Sequence, residues 1–319
     1  MKGAVLVFLI ISASHLFAQR VINKEIPVNG EIFLTKSIAI PKIHKGYTVW
    51  LPEKEKINGL VVFIHGRRDT TQSDVLINYA LSHQLAVMYA TTDNRMEFFF
   101  EAEKMHEIES YIQEVLCNHA IPDTNMLYCG MSLEGTRVLR LTMFSQGRES
   151  KFRLKPKAIA ICDAPLDMVR FHKSMVKAKE LNFTDITANE GAWVSGYLES
   201  NLGGSPSDAL TAYIDYSPFC YTSEENNNLQ CFNDIAIRAY TEPDVNWWIE
   251  TRGKDYYSMN SIDLAAMINQ LKLNGNQSSE LIITHNKGYH SDGTRHPHNW
   301  AIVDERELID WFTRLSINK

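Results

Sequence analysis

Met126-Leu127-Tyr128-Cys129-Gly130-Met131-Ser132-Leu133-Glu134-Gly135 is the stretch on which the fold turns. Four apolar residues in a row read as a strand buried on both faces. The strand runs into Gly130, and Thr136 to Phe144 reads as helix. Ser132 therefore stands at a tight corner between a strand and a helix. A lone Gly-x-Ser is also an ordinary turn, so its weight comes from the chain around it.

Outward from this corner the same rhythm repeats. Leu60-Val61-Val62-Phe63-Ile64, Leu85 to Ala90, Ala158 to Cys162, Ile235 to Tyr240 and Leu281 to Thr284 read as further buried strands. Helices are expected near Ser73 to Ser82, over Glu101 to His119, over Ser261 to Leu273 and over Val303 to Leu315. In the second of these Met105, Ile108, Ile112, Val115 and Leu116 recur at helical spacing. Strand alternating with helix predicts an α/β fold with a doubly wound, mostly parallel sheet. From Arg20 to about Lys56 the chain reads as strands alone, with a turn at Asn29-Gly30. These strands are too close together for crossover helices, so they are expected to be antiparallel at one edge. About seventy residues separate the strands near Ile161 and Ile235, too many for a simple crossover. They read as a helical cap inserted at about 166–232.

The composition sets outer limits. The chain has 319 residues, 32 Lys+Arg against 38 Asp+Glu, a net charge of −6 and 45% hydrophobic residues. That supports a sizeable core and lacks the basic footprint of a nucleic-acid binder. Met1 and Lys2 precede an apolar run, Ala4 to Ile11, and small residues lead to Ala18. Residues 1–18 are expected to be an export signal, with 19–319 as the mature, secreted or periplasmic chain. A membrane anchor needs about twenty apolar residues, and Ser12, Ser14 and His15 break this run; no membrane association is expected after cleavage. Cys129 and Cys162 lie in apolar runs and read as buried. Cys220 and Cys231 flank a polar loop that either carries a disulfide or two reduced thiols.

In a parallel sheet, ligands bind beyond the carboxyl ends of the strands. His65-Gly66-Arg67 follows Ile64, Asp163-Ala164-Pro165 follows Cys162, and Thr241-Glu242-Pro243-Asp244 follows Tyr240. His290, His296 and His298 follow Thr284. A serine, two aspartates and several histidines thus fall at strand ends, in the order Ser…Asp…His.

On these residues the chain resembles the α/β-hydrolases, from about Gly46 to Ile317. In that family a serine sits on a crowded strand-turn-helix elbow flanked by glycines. The resemblance implies Ser132 as nucleophile, with a histidine base and an orienting aspartate. One departure stands out. The position two after the serine is Glu134 rather than glycine, and Gly135 arrives one residue later. Either the elbow is reshaped, or Glu134 contacts substrate, or the site is degraded. His65-Gly66 resembles the oxyanion-hole loop, with backbone N–H groups of Arg67 and Leu133 as the donors. Asp244 is the expected acid, because it follows the second-last strand; Asp163 is the competitor. His298, in His296-Pro297-His298-Asn299-Trp300 just before the last helix, is the expected base, with His290 as competitor. A His-x-Trp there is similar to the secreted branch that includes esterase D and feruloyl-esterase-like proteins. Trp247 joins Glu134 as an expected substrate contact; most other aromatics of the insertion read as packing.

No cofactor is expected, because neither a Gly-x-Gly-x-x-Gly nor a Walker loop is present. The histidines from His285 to His298 lack the carboxylate or cysteine cluster that a metal site needs. The expectation is an exported serine hydrolase acting through an acyl-enzyme on a carboxylic ester, either a small molecule or carbohydrate-linked. Two rivals stand beside it. A prolyl-oligopeptidase-type peptidase usually carries a large β-propeller, and only about forty residues precede the catalytic domain here. A non-catalytic binding protein on the same scaffold is kept alive by Glu134.

Overall fold

The structure, a computed structural model, describes residues 20–33, 39–42, 44–64 and 74–315. The expected export signal and the expected oxyanion donor Arg67 lie outside the described residues.

In chain order the strands are β1 (Arg20–Ile26), β2 (Glu31–Phe33), β3 (Ala39–Pro41), β4 (Lys45–Leu51), β5 (Gly59–Phe63), β6 (Leu85–Thr91), β7 (Met126–Met131), β8 (Ala158–Cys162), β9 (Ala236–Thr241) and β10 (Ser279–Ile283). Eight of them form one sheet in the order β1-β4-β6-β5-β7-β8-β9-β10. From β6 to β10 all neighbours are parallel. At the other edge β4 runs antiparallel to both β6 and β1. The chain therefore has the α/β-hydrolase fold, a mixed sheet with antiparallel N-terminal strands. One expectation is corrected. Among the described residues, Glu31–Phe33 and Ala39–Pro41 do not extend the edge but pair with each other, as a separate hairpin. Three-residue strands offer too few ladder bonds to displace the seven-residue pairing of β1 with β4.

The continuous apolar runs are explained by two covered faces. Along β5, Leu60 and Val62 join one core cluster while Val61 and Phe63 join the other, the period-two alternation of a strand. The first cluster receives Ile108 and Ile112 of α2 (Ala102–Asn118), Leu139 of α3 (Leu133–Gln146) and Leu264 of α8 (Ser261–Leu273). The second receives Leu76 of α1 (Val75–Ser82) and Phe312 of α9 (Glu305–Leu315).

Between β8 and β9 lie α4 (Met168–Leu181), α5 (Asp185–Leu202) and α6 (Leu210–Tyr216). They carry a third apolar cluster built on Met168, Met175, Val194, Leu198, Tyr213 and Tyr216. Gly191 allows α4 and α5 to approach closely: a Cβ there would lie 2.4 Å from the Met175 carbonyl oxygen. The insertion is tied to the body by charge as well. Asp263, fully buried on α8, receives two hydrogen bonds from the Arg170 guanidinium at 2.5 and 2.7 Å and the N–H groups of Leu166 and Asp167. Cys220 and Cys231 are both free thiols, and Cys220 donates instead to Asp167 Oδ1 at 3.5 Å.

Candidate active site

The corner at Ser132 is strained in a way the sequence demands. Ser132 has φ +51° and ψ −125°, a region that costs a non-glycine residue on the order of 1–3 kcal/mol. Its N–H donates to the Cys162 carbonyl at 2.8 Å, and its carbonyl accepts from Thr136 N at 3.2 Å as α3 begins. The serine is thus clamped between β8 and its own helix. The glycines explain themselves geometrically. A Cβ on Gly130 would lie 2.3 Å from the Glu134 carbonyl oxygen, and one on Gly135 would lie 2.6 Å from Ala164 Cβ. The close approach to the neighbouring loop falls at Gly135. Glycine is therefore required one residue later than the Gly-x-Ser-x-Gly pattern places it, at Gly135 rather than at Glu134. Leu133 opens α3, where a helix leaves its first N–H groups without an intrahelical acceptor.

The acid is where the structure departs from expectation. Asp244 is hydrogen-bonded to no histidine among the described residues. Its Oδ1 caps α7 (Val245–Arg252) by accepting from Trp247 N at 3.1 Å, and its Oδ2 accepts from Arg295 Nη1 at 2.6 Å. That arginine, with the cap bond, holds the Asp244 carboxyl below the usual carboxylate range. Asp163 meets a histidine instead. Its Oδ2 lies 2.6 Å from His298 Nδ1, and its Oδ1 accepts from Thr241 Oγ1 at 3.2 Å. The Asp163 backbone has φ +46° and is fixed on both sides: its N–H donates to the Tyr240 carbonyl at 2.9 Å and its carbonyl accepts from Asn260 Nδ2 at 2.9 Å. The reason lies in register. Cys162 pairs with Tyr240 across the sheet, so Asp163 leaves β8 at once while Asp244 sits three residues beyond the end of β9 and is caught by Arg295.

His298 is the histidine that Asp163 meets, and with its Nδ1–H donated there its Nε2 carries the free lone pair. His290 is exposed and lies against the Asn299 side chain, 3.0 Å from its amide nitrogen. His296 lies beside it, accepting the His298 backbone N–H at its Nδ1 (3.2 Å). Burial first, then the neighbouring His298 and Arg252, push the His296 pKa down to about 4.

Ser132, Asp163 and His298 line one cavity of about 330 Å³. Trp248, Arg252 and Lys254 from α7 and the turn after it form part of its wall, and Met175 and Glu190 come from the insertion. Glu134 and Trp247 are not among the described residues that line it. Trp247 packs on the His296 ring instead, with centroids 4.6 Å apart. Sequence reading missed Arg252 and Lys254; a basic pair spaced by one glycine carries no recognisable signal.

No protein-family model and no curated protein match the chain. Solved structures do match in fold. Esterase B from Lactobacillus rhamnosis is 14% identical, with 93% of this chain and 86% of that one covered at a TM-score of 0.53. A hyperthermophilic esterase from Pyrobaculum calidifontis is 15% identical, with 93% and 84% covered at 0.52. An acylaminoacyl peptidase from Pyrococcus horikoshii is 12% identical at 0.50, covering 95% of this chain and 41% of that one. At such identities the likeness establishes the fold.

Proposed function

We propose that the protein is a serine hydrolase of carboxylic esters whose triad is Ser132, His298 and Asp163. One observation carries the reading: the 2.6 Å bond between Asp163 and His298 Nδ1, in the cavity that a strained Ser132 also lines. An aspartate on Nδ1 fixes the imidazole tautomer and orientation and stabilises the imidazolium that forms. The fold likeness to esterases agrees with an ester as substrate.

In this reading Ser132 Oγ attacks the ester carbonyl carbon and its proton passes to His298 Nε2. The carbonyl π electrons move to oxygen. The Leu133 N–H at the start of α3 donates to that oxyanion, helped by the helix dipole. Collapse expels the alcohol, which takes the proton from His298, and leaves an acyl-Ser132. Water then attacks the acyl carbon, giving its proton to His298, and Ser132 regains one as the acid leaves. Arg67 N–H is the proposed second oxyanion donor. Export through residues 1–18 and a carbohydrate-linked ester belong to the same proposal. Asp244, Arg295 and Glu242 are positioning residues that hold the histidine-bearing loop.

The test is labelling of the purified chain with a fluorophosphonate probe, alongside turnover of p-nitrophenyl butyrate. Labelling and turnover that disappear in Ser132→Ala support the reading. Folded wild-type protein that neither labels nor turns over ester refutes it.

A further inference from the structure

The cavity beside Ser132 carries a charge arrangement that ester hydrolysis itself does not use. Gly253 ends α7 in the left-handed conformation, φ +62°, and turns the chain back on itself. Lys254 N–H closes that turn on the Trp248 carbonyl at 3.1 Å, and Lys254 Nζ comes to rest 5.4 Å from the Trp248 ring centroid. Lys254 and Arg252 both line the cavity. Neither is ion-paired among the described residues. Among the described residues Arg252 hydrogen-bonds only to His296, whose Nε2 lies 3.1 Å from Arg252 Nη2 and whose depressed pKa keeps it neutral. Two carboxylates line the same space. Asp163 is already committed to His298 and Thr241, and Glu190 is exposed on α5. Burial pushes the Lys254 pKa down against the pull of Glu190.

A recessed cation with no carboxylate in contact is costly, and an incoming anion relieves that cost. The space in front of it is the space that holds the nucleophile. We infer that Lys254 and Arg252 form a carboxylate subsite, and that the preferred substrates are short esters bearing a second, free carboxylate. A cavity of about 330 Å³ accommodates a small acyl group with such a tail. The inference rests on the hydrolase reading for its substrate, but the anion site can be read out separately.

The experiment compares kcat/KM for two pairs of esters: p-nitrophenyl hemisuccinate against p-nitrophenyl butyrate, and the butyryl ester of 3-hydroxypropanoate against butyryl propanol. The first pair places the carboxylate on the acid half, the second on the alcohol half. The wild type is expected to favour the carboxylate in at least one pair by about tenfold, the worth of one charge-assisted hydrogen bond. Lys254→Met is expected to bring that ratio back towards one, Lys254→Arg to retain most of it, and added salt to shrink it. A neutral preference in both pairs overturns the inference, as does a ratio that Lys254→Met leaves unchanged. If none of the four esters turns over, the hydrolase reading fails first. Glutarate is then titrated into Ser132→Ala protein while Trp fluorescence is followed, Lys254 lying over Trp248. A saturable change that Lys254→Met abolishes keeps the subsite; no change overturns it too.

Discussion

Two aspartates follow adjacent parallel strands, and the fold gives them opposite employment. Asp163 comes directly off β8, its side chain only 9% exposed, and turns through a positive φ into His298. Asp244 comes three residues beyond β9, its side chain 32% exposed, and pairs with Arg295. Both are acids at the carboxyl end of the sheet, and both touch the loop between β10 and α9. One touches it at His298, the other at Arg295, eight residues upstream of Val303. A strand end selects which residues can be functional; the first dihedral after the strand, and which loop cation waits nearby, select which one is.

The same comparison shows where a sequence stops being legible. The apolar runs of β5 to β9 could be read because both faces of a central strand are buried, so composition alone marks them. The helix over Ser261–Leu273 carries the bounds that the pattern predicts. Ser132 could be read because a glycine-flanked corner between strand and helix has few sequence solutions. Which aspartate meets His298 could not, because Asp163 and Asp244 offer the same residue type at the same topological level. What separates them is long-range: Arg295 sits 51 positions from Asp244, His298 135 positions from Asp163. Arg252 and Lys254 were invisible for a similar reason, since only the turn at Gly253 sends Lys254 back over Trp248. The detached hairpin of β2 and β3 was missed because strand propensity does not say which partner a strand takes.

The largest expected effect breaks the comparison by exchanging charge for amide at each aspartate. Asp163→Asn is expected to lower kcat on p-nitrophenyl butyrate by about 10⁴-fold, as loss of the orienting carboxylate does in other triads. Asp244→Asn keeps its helix-capping ability and loses a partly exposed ion pair. Its kcat/KM is expected to stay within about fivefold of wild type. Steady-state kinetics on the two variants decide the matter, and similar losses in both would erase the distinction.

A smaller effect falls on stability. Arg295 joins Asp244 to Glu242, whose side chain is 2% exposed and also accepts from Thr284 Oγ1 at 2.6 Å. Arg295→Met leaves that buried carboxylate without its cation and is expected to cost about 3 kcal/mol by urea denaturation. A loss below about 1 kcal/mol would mean that the histidine loop is held by other contacts.

The smallest effect concerns His296, which lies between the two systems. Its pKa is about 4 in the folded chain against an ordinary 6.5. The unfolded chain binds the proton first as pH falls, so this contribution to stability is intact above about pH 6.5 and is lost as pH falls towards about 4. His296→Asn is expected to flatten the difference between neutral and acidic urea midpoints by on the order of 1–2 kcal/mol, allowing for solvent around a half-buried ring. A variant with the same acid slope as wild type would show that His296 protonates freely in the folded state.

The most direct test of the central claim is the proton that Asp163 and His298 share. A hydrogen on an imidazole Nδ1 held by a carboxylate gives a separate, strongly downfield NMR signal, which His298→Ala assigns by removing it. The signal is predicted to persist in Asp244→Asn and to be lost or moved far upfield in Asp163→Asn. A signal that survives Asp163→Asn and vanishes in Asp244→Asn would contradict the account and return the catalytic acid to the end of β9.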